Sequence, residues 1–272
     1  KSAEEIVAEA EAYWNGNDSV YMNRSKALEL YQQAAEMGNA VAQYTLGQKF
    51  FYGEGVPKDL NQAVYWTLKS VDELNVISMY QLSLIYDELG DNEQTVHWTR
   101  LSAEGGFIYS IYNLGLIYRY GRYGMTTDIS QAEFWFRKAA EEGFAEAQYE
   151  LAYIFIDKKD NEQAIYWMQK AAENGLGNAQ GDLAYSYENS ELGLTEDLEQ
   201  AAYWYHQAIE SGVDDMFTQC EIGLKYVRGE LGFEQDYKKA VYWFKLSADQ
   251  GYEVAQYSLG ITYLNGKGIP KD

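Results

Sequence analysis

Cysteine is almost missing from this chain. Cys220 is the single one in 272 residues, so an intrachain disulfide, a thiolate metal cluster and a dithiol redox pair are all excluded. Histidine is nearly as scarce, with only His97 and His206. No His-Glu-x-x-His motif occurs, and two isolated imidazoles without a carboxylate or thiol cluster at ligand spacing make no metal site. Proline occurs twice, which leaves long stretches free of helix breakers. No apolar run approaches the length of a membrane span. The first residues, Lys-Ser-Ala-Glu-Glu-Ile-Val, lack an initiator Met and already read as helix, so a removed leader is one reading of the start. The compartment stays open between bacterial periplasm and cytoplasm, with a soluble chain expected in either.

Positive charge is also short. Lys and Arg number 21 against 42 Asp and Glu, a net charge of −21. The excess is spread along the chain: residues 1–136 carry 9 basic and 18 acidic residues, and residues 137–272 carry 12 and 24. Such a surface repels phosphate backbones and anionic lipids, which argues against nucleic acid and for a protein partner of basic or neutral surface. The plainer reading is that the acidity keeps an aromatic-rich surface soluble.

What is present in excess is tyrosine and periodicity. There are 26 Tyr and 7 Trp against 10 Phe, and 47% of residues are apolar, enough core to exclude a disordered chain. Trp66, Trp98, Trp135, Trp167, Trp204 and Trp243 follow one another at 32, 37, 32, 37 and 39 residues. A second marker recurs upstream of each at Leu46, Leu82, Leu114, Leu151, Leu183 and Ile222, with Leu259 opening one more copy. The Leu-to-Trp distance is 20–21 or 16, while the Trp-to-Leu distance is 16 except for 18 after Trp204. Length therefore varies inside each repeat, in glycine-bearing turns such as GEGVPKD, GRYGMTTD, SELGLTED and GELGFEQD. The odd 18 adds two residues near GVDDMFTQ, which predicts disturbed stacking there, as a bend or a bulge.

Each repeat reads as two helices. In the first, apolar residues recur at three- and four-residue steps, and the residue after the marker is always small: Gly47, Ser83, Gly115, Ala152, Ala184, Gly223 and Gly260. Glycine is a poor helix former, so its recurrence predicts close approach of a second helix. That second helix is predicted to start at Asp59, Asp91, Asp128, Asp160, Asp197 and Asp236, with Gln three residues later in five of six, as in a capping box with Asp as cap. Gly106, Gly143, Gly175, Gly212 and Gly251 are placed to close it. Asn23, Ala27, Leu30, Ala34-Ala35 and Gly38 fit the same template in degraded form, as a terminal unit with one solvent-facing side should. By register Asp272 is the cap of one more helix, as though the chain were cut there.

Stretches such as AVAQYTLGQKFFYGEGVPKDLNQAVYWTLKSV and AEAQYELAYIF…NEQAIYWMQKAAENG resemble Sel-one-like repeats, relatives of the tetratricopeptide repeat. The resemblance covers residues 3–272 as one domain, with repeats at about 3–38, 39–74, 75–106, 107–143, 144–175, 176–212, 213–251 and 252–272. It implies an all-α, right-handed superhelical solenoid of antiparallel helix pairs. It also implies an adaptor role in protein complexes, typically bacterial. The paired cysteines of one branch of the family are missing here, so nothing tied to that branch carries over.

No catalytic centre emerges. The glycine turns miss the phosphate-loop pattern: Gly260 to Gly266-Lys267-Gly268 leaves five intervening residues and no Ser or Thr after Lys. No carboxylate pair is singled out by apolar surroundings, no Ser–His pair is identifiable, and no cofactor is expected. Partner binding is assigned instead to the first helices, which line the concave face in tetratricopeptide-like folds. Two residues before the marker stands a Tyr series that includes Tyr112 and Tyr149; consensus packing between repeats is the favoured reading for it. The positions that vary between repeats are the better specificity candidates: Arg119, Tyr120, Tyr153, Asp157, Tyr185 and Glu188. His97, where most repeats have Tyr before Trp, reads as a packed helix residue, and His206 as surface. The leading function is a non-catalytic scaffold or adaptor holding a protein on its concave face. The alternative is an immunity or inhibitor protein against a basic toxin or effector. Oligomeric state is left open.

Overall fold

The computed structural model describes residues 1–17 and 19–268. It is all helical among these residues. The first helices of the repeats are α1 (Ala3–Asn15), α3 (Ala40–Tyr52), α5 (Val76–Leu89), α7 (Ile108–Tyr120), α9 (Ala145–Asp157), α11 (Gly177–Asn189), α13 (Met216–Arg228) and α15 (Glu253–Leu264). The second helices are α2 (Arg24–Glu36), α4 (Leu60–Leu74), α6 (Asn92–Glu104), α8 (Ile129–Glu141), α10 (Asn161–Glu173), α12 (Leu198–Glu210) and α14 (Tyr237–Asp249). The expected cap at Asp272 lies outside the described residues.

Local chemistry sets the boundaries. Asp59, Asp91, Asp160, Asp197 and Asp236 each cap a second helix by accepting backbone N–H groups, and Asp128 accepts the Gln131 N–H at 3.0 Å. Asn23 does the same for α2. The reciprocal half of the expected capping box is a different matter. It forms at Ser2 and Glu5 on α1, whereas Gln94 of α6 accepts the Trp98 indole N–H at 3.1 Å. A half-buried indole one turn away needs an acceptor, and the amide oxygen supplies it. Gly38, Gly106, Gly143, Gly175, Gly212 and Gly251 close second helices at φ between 74° and 94°, where only glycine is unstrained.

The small residue after the marker has the expected cause at Gly47 and Gly223, whereas Gly260 faces open space. A methyl at Gly47 would collide with Thr67, and one at Gly223 would come within 2.6 Å of the Phe244 ring. A glutamine three residues before the marker adds a polar tie that the sequence pattern did not announce. Gln43, Gln148 and Gln180 each donate at 3.0 Å to the carbonyl of Ala35, Ala140 and Ala172, and Gln256 to that of Ala248 at 3.4 Å. Each bond joins a first helix to the end of the preceding second helix, buried at Gln43, Gln148 and Gln180 and exposed at Gln256.

Contacts divide the chain into two compact units, 1–135 and 136–272. In the first, α1 to α6 pack as three successive pairs, with α7 against α6. Its N-terminal core joins Ile6, Val7, Ala10, Leu30, Leu46 and Trp66. In the second, α9–α10, α11–α12 and α13–α14 are the pairs and α15 packs on α14. Its cores centre on Tyr205, Ile222 and Phe233, and on Cys220, Ala240 and Phe244. His97 corrects an expectation. It is exposed and turns its edge to Trp98 at 5.1 Å, because the residue before each Trp faces outward, as Tyr65, Tyr166, Tyr203 and Tyr242 also do. His206 is at the surface as expected.

Candidate functional site

The second unit contains a cavity of about 450 Å³ formed by three successive first helices, α9, α11 and α13. Tyr149 and Tyr153 lie one turn apart on α9, so both face the same way; their rings meet edge to face at 5.0 Å. Both hydroxyls donate to Oδ2 of Asp182 on α11, at 2.9 Å from Tyr149 and 2.7 Å from Tyr153. Asp182 lines the same cavity, and its Oδ1 accepts neither hydroxyl. Burial pushes the Asp182 carboxyl up to about 6, against the opposing pull of the two hydroxyls, with Asp215 and Glu191 adding to the rise. Burial likewise raises both tyrosines, strengthened by the neighbouring carboxylate.

The far wall comes from the start of α13. Its cap Asp215 accepts the Thr218 N–H at 2.8 Å on Oδ1. Its Oδ2 and the Thr218 hydroxyl are enclosed without a hydrogen bond of good geometry, although the hydroxyl lies near enough to favour the carboxylate. Burial outweighs these donors and raises the Asp215 carboxyl. Next to it Phe217 packs edge-on against Tyr185 at 4.9 Å. Ile156, Met168 and Leu192 complete the apolar lining. Leu192 holds φ 51° in the turn after α11, a left-handed conformation costing a bulky residue about 1–2 kcal/mol, and there it shields the cavity's edge.

The two-residue insertion predicted to disturb the stacking builds this wall. Asn178 of α11 accepts the N–H groups of Asp214 and Asp215 at 3.2 and 3.3 Å, and Gln250 donates to the Asp214 carbonyl at 2.8 Å. The glutamine tie is displaced accordingly: Gln219 donates to the loop carbonyl of Val213 at 3.2 Å rather than to a helix end. The insertion is a bulge that seats Asp215, Met216 and Phe217 beside α11.

Of the candidate residues, Tyr149, Tyr153 and Tyr185 come together in this cavity. Glu188 does not line it. Its Oε1 meets Lys225 Nζ at 2.5 Å and its Oε2 accepts the Tyr205 hydroxyl at 3.1 Å. Lys225 is 1% exposed and also lies 3.4 Å from Glu230 and 3.7 Å from Glu221. Asp157 is exposed at the end of α9. Tyr112, Arg119 and Tyr120 lie on α7 in the other unit, Tyr112 and Arg119 half-buried and Tyr120 exposed with the Arg119 guanidinium 5.6 Å from its ring centre. Asp182, Asp215, Phe217 and Leu192 were not anticipated. The insertion was the one sequence signal for Asp215 and Phe217; Asp182 occupies a column that is polar in most repeats and carries no signal. Cys220 is buried, and burial pushes its thiol up to about 12, which suits packing rather than nucleophilic chemistry.

Among the described residues no three His, Cys, Asp or Glu side chains are placed to share a metal ion. No helix there is long and apolar enough to cross a membrane.

No curated protein matches the chain. A protective antigen of uropathogenic Escherichia coli with an SLR fold is 31% identical over 99% of this chain, with a TM-score of 0.76. The present chain spans 58% of that protein. A Sel1 repeat protein of Oxalobacter formigenes is 26% identical over 99% of this chain and 79% of its own, with a TM-score of 0.77. An immunity protein of Pseudomonas aeruginosa, 19% identical over 78% of this chain and 82% of its own, shares the fold with a TM-score of 0.50. The Sel1 repeat profile matches residues 3–39, 40–73, 76–107, 108–144, 145–176, 177–213, 218–252 and 254–272. With helix pairs, caps and repeat spacing in agreement, the chain belongs to the Sel1 repeat family.

Proposed function

We propose that this protein is a non-catalytic scaffold, acting as one domain, that holds a protein partner on its first-helix surface, with the α9–α11–α13 cavity as the main point of engagement. The observation that carries the reading is the cavity itself. Four aromatic rings, Tyr149, Tyr153, Tyr185 and Phe217, stand around it on three successive first helices. Rings of this kind supply the large, rigid contact area on which interfaces depend. Asp157 extends the proposed surface at the end of α9 and Glu188 supports it through Lys225, while Tyr112, Arg119 and Tyr120 are separate proposed partner contacts on α7 of the first unit. We place the protein in a bacterial adaptor role, in the periplasm or cytoplasm.

The test uses a partner isolated from the native organism and purified. Calorimetry should show Tyr185→Ala with Phe217→Ala weakening binding about tenfold or more, while Tyr65→Ala with Tyr242→Ala on the second helices leaves it unchanged. The reverse pattern overturns the site. The acid excess supports a second reading, an immunity or inhibitor role against a basic toxin. It predicts that the partner has a toxic activity that the stoichiometric complex abolishes, whereas an adaptor leaves the partner active.

A further inference from the structure

We infer that the α9–α11–α13 cavity is a receptor for a single lysine side chain of the partner. This rests on the scaffold reading above and adds the chemistry of the contact. Three carboxylates line the cavity, Asp182, Asp215 and Glu191, and no cation does. Lys225, a buried cation on α13, is held by Glu188 and lines no part of it. A carboxylate in a mostly buried place without a counter-charge costs stability. A ligand that brings the missing charge recovers that cost.

The geometry narrows the cation. Asp182 uses Oδ2 for both tyrosine hydroxyls, which leaves Oδ1 alone to receive a donor. One oxygen suits the compact ammonium of lysine, whereas guanidinium reaches full strength only when both oxygens accept its fork. The aromatic walls suit the rest of a lysine. Its methylenes pack on Ile156 and Met168 while its head lies over a ring face. A metal ion is a poorer fit, since no three possible ligands among the described residues converge. The two tyrosine hydroxyls also orient the carboxylate in advance, so binding does not have to order it.

A purely structural account is available: Tyr149, Tyr153 and Asp182 form a clip between α9 and α11. The two accounts differ in what the charge is for. A clip works as well with a neutral acceptor; a lysine receptor does not. Asp182→Asn keeps a carbonyl oxygen for the hydroxyls and removes the charge, so it separates them.

The experiment titrates the purified 272-residue protein with acetyl-Gly-Lys-Gly-amide, observing tyrosine ring signals by NMR. The controls replace lysine with norleucine, of the same chain without the ammonium, and with arginine. The lysine peptide should bind and shift the signals of Tyr149, Tyr153 and Tyr185. Norleucine should not bind, and arginine should bind at least about threefold more weakly, a difference of at least about 0.6 kcal/mol. Asp182→Asn should weaken the lysine peptide about tenfold or more, with unchanged circular dichroism. Equal binding of norleucine, equal or tighter binding of arginine, unaltered binding by Asp182→Asn, or no binding of the lysine peptide each overturns the inference. The scaffold reading fails separately, when the purified partner binds Tyr185→Ala with Phe217→Ala as tightly as the wild type.

Discussion

At the scale of single residues, Asp182 separates stability from binding. In the fold its carboxyl ionises at about 6, against 3.8 ordinarily. Between those values the folded chain keeps a proton that the unfolded chain has lost. Stability therefore falls as pH rises from about 4 to 6, by about 3 kcal/mol, and the loss persists at neutral pH. Tyr149 and Tyr153 of α9 work against this; Asp215 of α13 and Glu191 of the following turn work with it. Asp182→Asn should therefore raise the urea midpoint at about pH 7.5 and match the wild type near pH 4. A lower midpoint at the higher pH would show that the ionised carboxylate stabilises the fold rather than costing it stability. Lys225 should behave oppositely. Its removal leaves Glu188, Glu221 and Glu230 without the ammonium they share, so Lys225→Ala should cost about 3 kcal/mol in urea unfolding. A loss under about 1 kcal/mol would mean water already relieves these carboxylates.

At the scale of helices, the repeat works through close approach and capping. Gly223→Ala gains about 1 kcal/mol of helix propensity, but its methyl meets the fully buried Phe244 ring at 2.6 Å, and overpacking costs about 1–3 kcal/mol. The melting temperature should fall; a rise would show that α13 and α14 separate easily. Asp197→Ala removes two N–H acceptances at the start of α12 and should cost about 1 kcal/mol. These elements were legible because a cap, a terminal glycine and an apolar stripe act locally and recur in every copy. The reciprocal glutamine bonds were misjudged, since the choice between a backbone N–H and the Trp98 indole depends on tertiary neighbours. The cavity was half legible. Tyr149, Tyr153 and Tyr185 sit at column positions fixed by helical periodicity, and the insertion flagged the start of α13. Asp182 was invisible because its meaning comes from α9 lying alongside. Glu188 was placed on the surface by periodicity, yet Lys225, thirty-seven residues away, takes it up.

At the scale of the whole chain, charge and repetition set the behaviour. A net charge of −21 makes the compact state repel itself, and salt screens that repulsion. The melting temperature should rise between about 10 mM and about 150 mM NaCl, while affinity for a basic partner should drop over the same range. Binding that ignores salt would argue for a contact made by the aromatic rings alone. The repeat scaffold gives each first helix an equivalent place, so one insertion and a few column substitutions suffice to make one stretch unlike the rest. Photo-crosslinking bears on this most directly. A benzophenone amino acid at position 185, in cells of the native organism, should capture a partner that is lost on Asp182→Asn and that the same probe at position 65 does not capture. Capture from position 65 alone, or capture at 185 that survives Asp182→Asn, would contradict the proposed mode of binding.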